Sequence, residues 1–358
     1  MKYLFTHTDL DGVGCAILAK LAFGEDVKIT YCNYNDVDVI VSAFLDEVCL
    51  GYEEGDKVYI TDISVSEEVA EKIDSSNARH YIRLMDHHKT AEWLNSYSWA
   101  DVQTETVMLD DTIKTSGTEL FYKYLSDMAY IKKGNKIIRE FVNFVRDYDT
   151  WRWKGFENGT PIKEFNDLLY ILGRDVFIER CMTRAKGNKH IVEFSKDERA
   201  ALDKRQKEID DYIELKGFQM SVSTIDLDRP YKAGVVFAEK YFSELGNKLC
   251  DTFDIDFVMM VDMGARVVHY RATDEEVDVS EIAKMFGGGG HKAAAGNTFD
   301  YDTRDRALQS LITYMLPPLV YEPTIVDKFN ACVCNYNKAL EAEKNNKKKF
   351  RLFKRKGK

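Results

Sequence analysis

Three short hydrophobic segments in the first ninety residues each run directly into acidic or histidine residues. The segments cover residues 3–5, 58–60 and 81–85, and the polar residues follow in the stretches THTDLDG, TD and DHH. Each segment has the length and composition of a buried strand in a parallel sheet. Ligands bind such sheets in the crevice at the carboxyl ends of the strands. The pattern therefore predicts at least four carboxylates and three imidazoles in one cleft.

This concentration of negative charge predicts a metal-dependent enzyme. Carboxylates that share a cleft repel one another and weaken the fold, and a divalent cation is the simplest compensation. Asp9 and Asp11 lie on one side of a tight turn before Gly12, which suits them to bind such an ion. Taken singly these motifs are weak, because Asp-x-Asp-Gly occurs in many surface turns and an Asp after a strand often caps a helix. The prediction rests on their combination, in which the DHH stretch is the strongest element.

A run of four glycines at residues 287–290 is the second strong signal, and His291 and Lys292 follow it. Consecutive glycines carry a high cost in backbone entropy. Their N–H groups can approach and surround an anion, so the run predicts phosphate binding. A flexible hinge is the alternative interpretation. The small residues 293–296 that come next are expected to form a helix or turn packed against a sheet.

The order of elements predicts two lobes. Strand-like and helix-like segments alternate in the first half, which indicates a parallel sheet covered by helices. Helices are expected at residues 12–23, 38–47, 66–74, 118–130 and 136–148. The highly charged residues 191–216 predict a long connecting helix, with a solvated surface helix inside one domain as the alternative. Later strands are expected at residues 218–224, 257–263 and 265–272, and a short helix at 279–286.

Composition is that of an ordinary soluble protein, with 45% hydrophobic and 31% charged residues. No apolar run approaches the roughly eighteen residues of a membrane helix, and no signal peptide is recognisable, so no membrane association is expected. Seven cysteines without a Cys-x-x-Cys pair predict reduced thiols and a cytoplasmic location. The net charge is −10, yet residues 341–358 carry nine Lys or Arg against two Glu. This basic tail is interpreted either as a contact to phosphates or as a solubilising end.

Taken together, these motifs resemble those of the DHH phosphoesterases. Asp9-Leu10-Asp11-Gly12, Asp62, Asp86-His87-His88 and Asp149-Thr150 are similar in order and approximate spacing to the four motifs of that family. The stretch GGGGHKAAAG resembles the signature of the DHHA1 domain that accompanies them, and Arg271 matches an arginine upstream of it. Within the superfamily the chain is most similar to the nanoRNase branch of short-oligonucleotide phosphodiesterases.

The resemblance implies an α/β fold, with an N-terminal parallel-sheet DHH domain and a smaller C-terminal α/β DHHA1 domain joined by a helical linker. We expect the DHH catalytic domain at residues 1–190, the linker at 191–217 and the substrate-binding DHHA1 domain at 218–316. A C-terminal extension with the basic tail would occupy residues 317–358.

The resemblance also implies a site for two Mn²⁺ ions, with Mg²⁺ possible. The metal ligands it implies are His7, Asp9, Asp11, Asp62, His87 and Asp149, with Asp147 as an alternative to Asp149. Asp86 and His88 would act beside them as catalytic residues, orienting ligands or contacting the phosphate. The substrate phosphate would be held by Arg271, Gly288, Gly289, Gly290 and His291. Oxygen and imidazole donors without thiolates fit Mn²⁺ or Mg²⁺ better than structural zinc.

The function implied is exonucleolytic degradation of short single-stranded RNA or DNA to mononucleotides, by water that two metal ions activate. A phosphodiesterase or phosphatase for cyclic or linear dinucleotides, or for 3′-phosphoadenosine 5′-phosphate, is the nearest alternative. A non-catalytic nucleotide-binding module and a nucleic-acid scaffold built around the basic tail are alternatives of other classes. The protein is expected to be a monomer or a homodimer.

Overall fold

The computed structural model describes residues 1–48, 55–108, 111–227, 229–273 and 276–315. The chain divides into two compact units, Met1–Gln206 and Lys207–Lys358. This division falls inside a single helix, Lys196–Gln219, which overlaps the expected linker at residues 191–217. The expected C-terminal extension at residues 317–358, with its basic tail, lies outside the described residues. The domain limits inferred from the sequence therefore stay predictions.

Unit 1 is built on a five-stranded parallel sheet. Its strands are β1 (Lys2–Thr6), β2 (Val27–Tyr31), β3 (Lys57–Thr61), β4 (Ile82–Asp86) and β5 (Ala100–Val102). Their order across the sheet is β2-β1-β3-β4-β5. The three hydrophobic segments of the sequence correspond to β1, β3 and β4, which are neighbours. The strand order reverses between β1 and β3, and a crevice opens at the carboxyl ends of the strands at such a switch point.

Helices cover both faces of this sheet. They are α1 (Leu10–Phe23), α2 (Val37–Val48), α3 (Glu67–Ser75), α4 (Gly117–Asp127), α5 (Lys136–Asp149), α6 (Thr160–Leu172) and α7 (Arg174–Lys186). A hairpin of β6 (Glu105–Met108) and β7 (Asp111–Lys114) precedes α4. Successive strand residues point to opposite faces: Leu4 joins the core under α1, α4 and α5, whereas Phe5 joins the core under α2 and α3. Because α1 lies between the sheet and other helices, it is apolar nearly all round.

Unit 2 contains a six-stranded sheet in the order β12-β13-β11-β10-β9-β8. The strands are β8 (Ser221–Asp226), β9 (Pro230–Phe237), β10 (Phe257–Asp262), β11 (Val267–Arg271), β12 (Gly289–His291) and β13 (Ala294–Thr298). The helices are α8 (Lys196–Gln219), which begins in unit 1, α9 (Phe242–Thr252), α10 (Val279–Met285) and α11 (Tyr301–Met315). β9 and β10 pair in parallel and the other neighbours pair antiparallel.

Three expectations differ from the structure. The strand expected at residues 218–224 begins at Ser221, because residues 218–219 continue α8. Residues 293–296 are expected to form a helix or turn; Ala293 does lie in a turn, but Ala294 begins strand β13, which pairs with both β11 and β12. The hydrogen bonds of β13 to strands on both sides outweigh the helical preference of its alanines. The long charged helix begins at Lys196, because Ser195 and Glu198 form a reciprocal cap. Ser195 N donates to Glu198 Oε2 at 2.7 Å, and Glu198 N donates to Ser195 Oγ at 3.2 Å.

No helix among the described residues combines the length and the apolar character that crossing a bilayer requires.

Candidate metal centre

The turn from β1 into α1 places the first acidic residues of the site. Asp9 caps α1 by accepting a hydrogen bond from Gly12 N at 3.1 Å. Gly12 lets the helix pass very close to the end of β1, since a Cβ on Gly12 would lie 2.0 Å from the carbonyl oxygen of His7. His7 and Asp9 are thereby brought together, with 3.0 Å between His7 Nδ1 and Asp9 Oδ2.

Asp11 is fixed by the main chain of a distant helix. It is 1% exposed, and its two carboxylate oxygens accept hydrogen bonds from Gly117 N at 2.6 Å and Thr118 N at 2.9 Å. These amides belong to the first turn of α4, where the helix dipole favours a negative charge. Asp11 is therefore held as an oriented carboxylate at the carboxyl edge of the sheet.

Asp62, at the end of β3, has an unusual backbone. Its φ is +57°, in the left-handed region that non-glycine residues rarely adopt. Gly117 packs directly against it, because a Cβ on Gly117 would lie 2.6 Å from Asp62 Cβ. Asp62 is only 1% exposed. A residue held this way in a sparsely populated conformation is typical of a functional position.

The six side chains expected as metal ligands converge at this edge as two sets of three. One set is His7, Asp9 and Asp62; the other is Asp11, His87 and Asp149. A further group of four, Asp62, Asp86, His87 and His88, takes one member from each set. In each set the ligand atoms lie within 4.8 Å of one another. Asp62 faces both sets, since its Oδ2 lies 4.0 Å from His7 Nδ1 and its Oδ1 lies 3.2 Å from His87 Nε2. The distance from His87 Nε2 is 3.5 Å to Asp149 Oδ2 and 3.7 Å to Asp11 Oδ2.

Several of these ligand atoms are buried without a hydrogen bond or without compensation of their charge. His7 Nδ1 and His87 Nε2 approach carboxylate oxygens at 3.0 and 3.2 Å, but among the described residues these two nitrogens and Asp62 Oδ2 are buried without a hydrogen bond of acceptable geometry. Burial and the neighbouring carboxylates, Asp11 foremost, raise the pKa of Asp62 and of Asp149 well above the ordinary value. Burial lowers the pKa of His87, so its imidazole is neutral and a lone pair of the ring is available to a metal ion. Unpartnered oxygen and nitrogen donors around shared negative charge fit a divalent cation, and the site could hold metal ions.

Asp86 and His88 lie beside these ligands in a different arrangement. Both Asp86 oxygens are occupied: Oδ1 by His87 N at 2.8 Å and His88 Nδ1 at 2.7 Å, and Oδ2 by Ser64 Oγ at 2.5 Å. Although burial opposes it, the hydrogen bond and charge of Asp86 raise the pKa of His88 to about 8. The other ring nitrogen, Nε2, lies 3.2 Å from Tyr34 Oη. The geometry makes Asp86 a positioning residue for His88.

The structure distinguishes the two candidates for the last acidic ligand. Asp147 is buried in an ion-pair network, with Oδ1 3.0 Å from Arg146 Nη2 and 2.8 Å from Arg152 Nη1. Arg146 in turn binds Glu119 of α4 at 3.2 Å. Asp149, in contrast, lies 3.5 Å from His87. The charge of Asp147 is already compensated, so Asp149 is the carboxylate available to a cation.

The residues expected to bind phosphate lie on the sheet of unit 2. Arg271 pairs across β11 and β13 with Ala294, which pairs across β13 and β12 with His291. Directly opposed residues share a face, so Arg271 and His291 lie on one face about 10 Å apart, two strand spacings. The neighbouring row on that face is His269, Gly296 and Gly289. Small residues therefore form the floor between the side chains of Arg271 and His291.

At two of the glycines, the absence of a side chain also has a structural reason. A Cβ on Gly288 would lie 2.1 Å from the carbonyl oxygen of Gly296, and one on Gly290, whose φ is +146°, would lie 2.6 Å from that of Ala294. These positions are required by the hairpin of β12 and β13. Around Gly289 there is open space, so its position leaves that face accessible.

Sequence reasoning missed several residues of this site. Tyr34, Ser64, Gly117 and Thr118 lie in loops or at a helix start, outside any recognisable motif. Only Ser116-Gly117-Thr118-Glu119 carries a local signal, a helix-capping pattern confirmed by the bond from Glu119 N to Ser116 Oγ. Nothing in that pattern indicates a contact with Asp11.

Comparison with known proteins shows the family. Residues 238–316 match the DHHA1 domain. Oligoribonuclease NrnB of Bacillus subtilis is 38% identical over 298 residues, which cover 83% of this chain and 72% of that protein. The chain therefore belongs to the DHH/DHHA1 phosphoesterases, in the nanoRNase-type branch, as the motifs predicted.

Solved structures agree with the predicted fold class, which is confirmed. The pGpG-specific phosphodiesterase PggH of Vibrio cholerae aligns with a TM-score of 0.52 at 15% identity, covering 88% of this chain and 98% of that one. The DHH domain of a member of the s1p family of ribosomal proteins aligns with a TM-score of 0.53 at 15% identity, covering 88% and 86%. At this level of identity the likeness concerns the fold.

Proposed function

We propose that this protein hydrolyses short single-stranded oligonucleotides to mononucleotides, from one end, with two Mn²⁺ ions as cofactors. The observation that supports this best is the pair of ligand sets that meet at Asp62. Family membership supports phosphodiester hydrolysis, and the relation to an oligoribonuclease supports short RNA as the substrate class.

The residues have distinct roles in this proposal. One cation would be held by His7, Asp9 and Asp62, and the other by Asp11, His87 and Asp149, with Asp62 placed to serve both. When bound, the two cations supply a water of lowered pKa and positive charge for the phosphoryl oxygens.

The remaining side chains orient the substrate and manage protons. Asp86 orients His88, and the Nε2–H of its protonated ring, which lies 3.2 Å from Tyr34 Oη, would exchange that partner for a phosphoryl oxygen or a leaving oxygen of the substrate. Arg271 and His291, over the floor of small residues, hold a phosphate of the substrate. Phosphate contacts carry no sequence information, so base specificity is expected to be low.

A metal-dependent assay tests the function directly. We expect the full chain to convert RNAs of two to five nucleotides to mononucleotides in the presence of Mn²⁺, and to lose this activity in a chelator. Substrates labelled at either end, resolved on a denaturing gel over time, give the rate and the direction of digestion. Cyclic dinucleotides serve as the control, and should stay largely intact.

The same assay contains the result that would contradict the proposal. Hydrolysis of cyclic dinucleotides or 3′-phosphoadenosine 5′-phosphate at a higher kcat/KM than any short RNA would assign the site to those substrates instead. Unchanged hydrolysis of RNA in the chelator would reject the metal cofactors.

The hydrogen bond between Tyr34 and His88 predicts a smaller effect. We expect Tyr34→Phe to lower kcat/KM on a dinucleotide about three- to tenfold, because a single hydrogen bond contributes about 0.5–1.5 kcal/mol. Steady-state kinetics on the dinucleotide measure this. A Tyr34→Phe protein whose melting temperature falls together with its kcat/KM would imply that Tyr34 supports the fold instead. A kcat/KM equal to that of the wild-type protein would show that the hydrogen bond does not contribute to catalysis.

A further inference from the structure

A short stretch that alternates aromatic and cationic residues follows the last metal-ligand candidate. Its sequence is Trp151-Arg152-Trp153-Lys154-Gly155-Phe156, hereafter the WRWKGF loop, and it begins two residues after Asp149. Two residues of chain span at most about 7 Å. Trp151 is therefore within one nucleotide's reach of the metal-ligand cluster of the same unit.

Two of the three aromatic rings of this loop are exposed: Trp151 keeps 54% of its accessible surface and Phe156 keeps 40%, whereas Trp153 is half-buried. Each exposed ring has a cation over it: Lys154 Nζ lies 4.5 Å from the centre of the Trp151 ring, and Arg152 lies 5.5 Å from that of Phe156. Large exposed aromatic groups with interleaved positive charge are the features that single-stranded nucleic acid binds, by stacking and by charge.

The backbone holds Trp151 in place at a cost. Its φ and ψ are +61° and +10°, the left-handed conformation, which is unfavourable for a non-glycine residue. The start of the loop is fixed to the end of α5: Trp151 N donates to the carbonyl of Tyr148 at 3.0 Å, and Arg152 binds the buried Asp147 at 2.8 Å. An exposed indole gains little from burial that would offset this cost. Strain of this kind is typical of ligand-contacting positions.

We propose that Trp151 is a stacking platform for a nucleobase of the substrate, next to the phosphodiester that is cleaved. This inference rests on the proposed oligonucleotide function and identifies how the enzyme recognises a nucleic acid without reading its sequence. Every base has a π-face, so stacking on Trp151 binds all four bases. Lys154 supplies positive charge for a flanking phosphate, whereas Arg152, paired with Asp147, holds the loop in place.

A cycle of enzyme and substrate changes tests this inference. The substrates are a dinucleotide and two versions in which the 5′ or the 3′ base is replaced by an abasic tetrahydrofuran unit. We expect wild-type protein to lose on the order of ten- to a hundredfold in kcat/KM on one abasic version, the usual effect of one base stack. Trp151→Ala should show that same loss on the dinucleotide and no further loss on the abasic substrate. Trp151→Phe should recover most of the activity.

The outcomes separate this inference from the proposed function. Equal fractional losses of Trp151→Ala on all three substrates would overturn the stacking role while leaving the hydrolytic function standing. Failure of wild-type protein on every substrate would overturn both. Alanine and phenylalanine meet the same left-handed strain as tryptophan, so neither variant should alter the loop backbone, and a thermal melt checks that both variants fold.

Discussion

Asp62→Asn should lower kcat/KM on short RNA by a factor on the order of 10³ or more. The carboxylate is the group that faces both ligand sets, and losing it removes part of the charge that holds both cations. Each cation contributes several kcal/mol to the transition state, and each 1.4 kcal/mol is a factor of ten in rate. Asparagine is the right replacement because it has the same shape and tolerates left-handed φ at least as well as aspartate.

The same variant should be more stable than wild type in a chelator. A buried carboxylate among other carboxylates destabilises the fold at neutral pH, because the unfolded chain carries that charge in water without penalty. We expect the free energy of unfolding of the variant to rise by about 1–2 kcal/mol. With Mn²⁺ added the wild-type protein should be the more stable of the two, because metal binding stabilises only a protein that retains affinity for the ion.

Thermal melts with and without Mn²⁺, alongside initial rates, measure both effects. Asp127→Asn is the matched control, because it removes the same charge from an exposed position on α4 and should change neither rate nor stability. An Asp62→Asn protein that kept near-normal turnover would refute the shared-ligand role. One that was less stable in chelator would refute the account of uncompensated charge.

Gly12→Ala should damage both stability and activity. The added Cβ would lie 2.0 Å from the carbonyl oxygen of His7, and that neighbour is backbone and cannot rotate away. Overpacking of this kind costs about 1–3 kcal/mol or more. To relieve this clash, α1 and the end of β1 must move apart, and this movement displaces His7 and Asp9. A displacement of about 1 Å at reacting groups can cost about a hundredfold in rate, so we expect at least that loss in kcat/KM.

Gly217→Ala is the matched control for this effect. Gly217 also lies in a helix, and its added Cβ would meet side-chain atoms at 3.7 Å or more, an ordinary contact. Helix propensity alone should make Gly217→Ala more stable by about 0.5–1 kcal/mol. Urea unfolding of both variants therefore tests whether the steric contact with His7 or helix propensity determines the change in stability of Gly12→Ala. A Gly12→Ala protein with wild-type stability would mean that the helix can move away from β1 without strain.

The sequence predicted three of the five strands of the unit 1 sheet, β1, β3 and β4, together with the residues at their ends, because the same feature encodes both. The strands β2 and β5 were not predicted. A strand buried on both faces is continuously hydrophobic, so its end is visible as an abrupt change to Asp or His. β1, β3 and β4 each show this change, and parallel pairing then places His7, Asp62 and His87 at one edge. The distances between these residues needed coordinates.

Other features could not be predicted because they depend on contacts between distant parts of the chain. The motif resemblance favoured Asp149 over Asp147, but the ion pairs of Asp147 with Arg146 and Arg152, which compensate its charge, are visible only in the structure. The strand at Ala294 forms because β11 and β12 lie on either side of it, against the local preference of its alanines. The contact of Tyr34 with His88 joins a loop after β2 to a strand end, and no spacing in the sequence indicates it.

The anchoring of Asp11 has a consequence for how this protein can diverge. Its partners at the start of α4 are main-chain amides, which every residue except proline supplies. Substitutions on the exposed face of α4 can therefore accumulate without disturbing the aspartate. Two positions are exceptions: Gly117 must stay without a side chain beside Asp62, and the Thr118 hydroxyl donates to the main-chain oxygen of Asp11 at 2.7 Å. Among diverging relatives we expect Asp11 and Gly117 to be inherited together while the surface of the helix drifts freely.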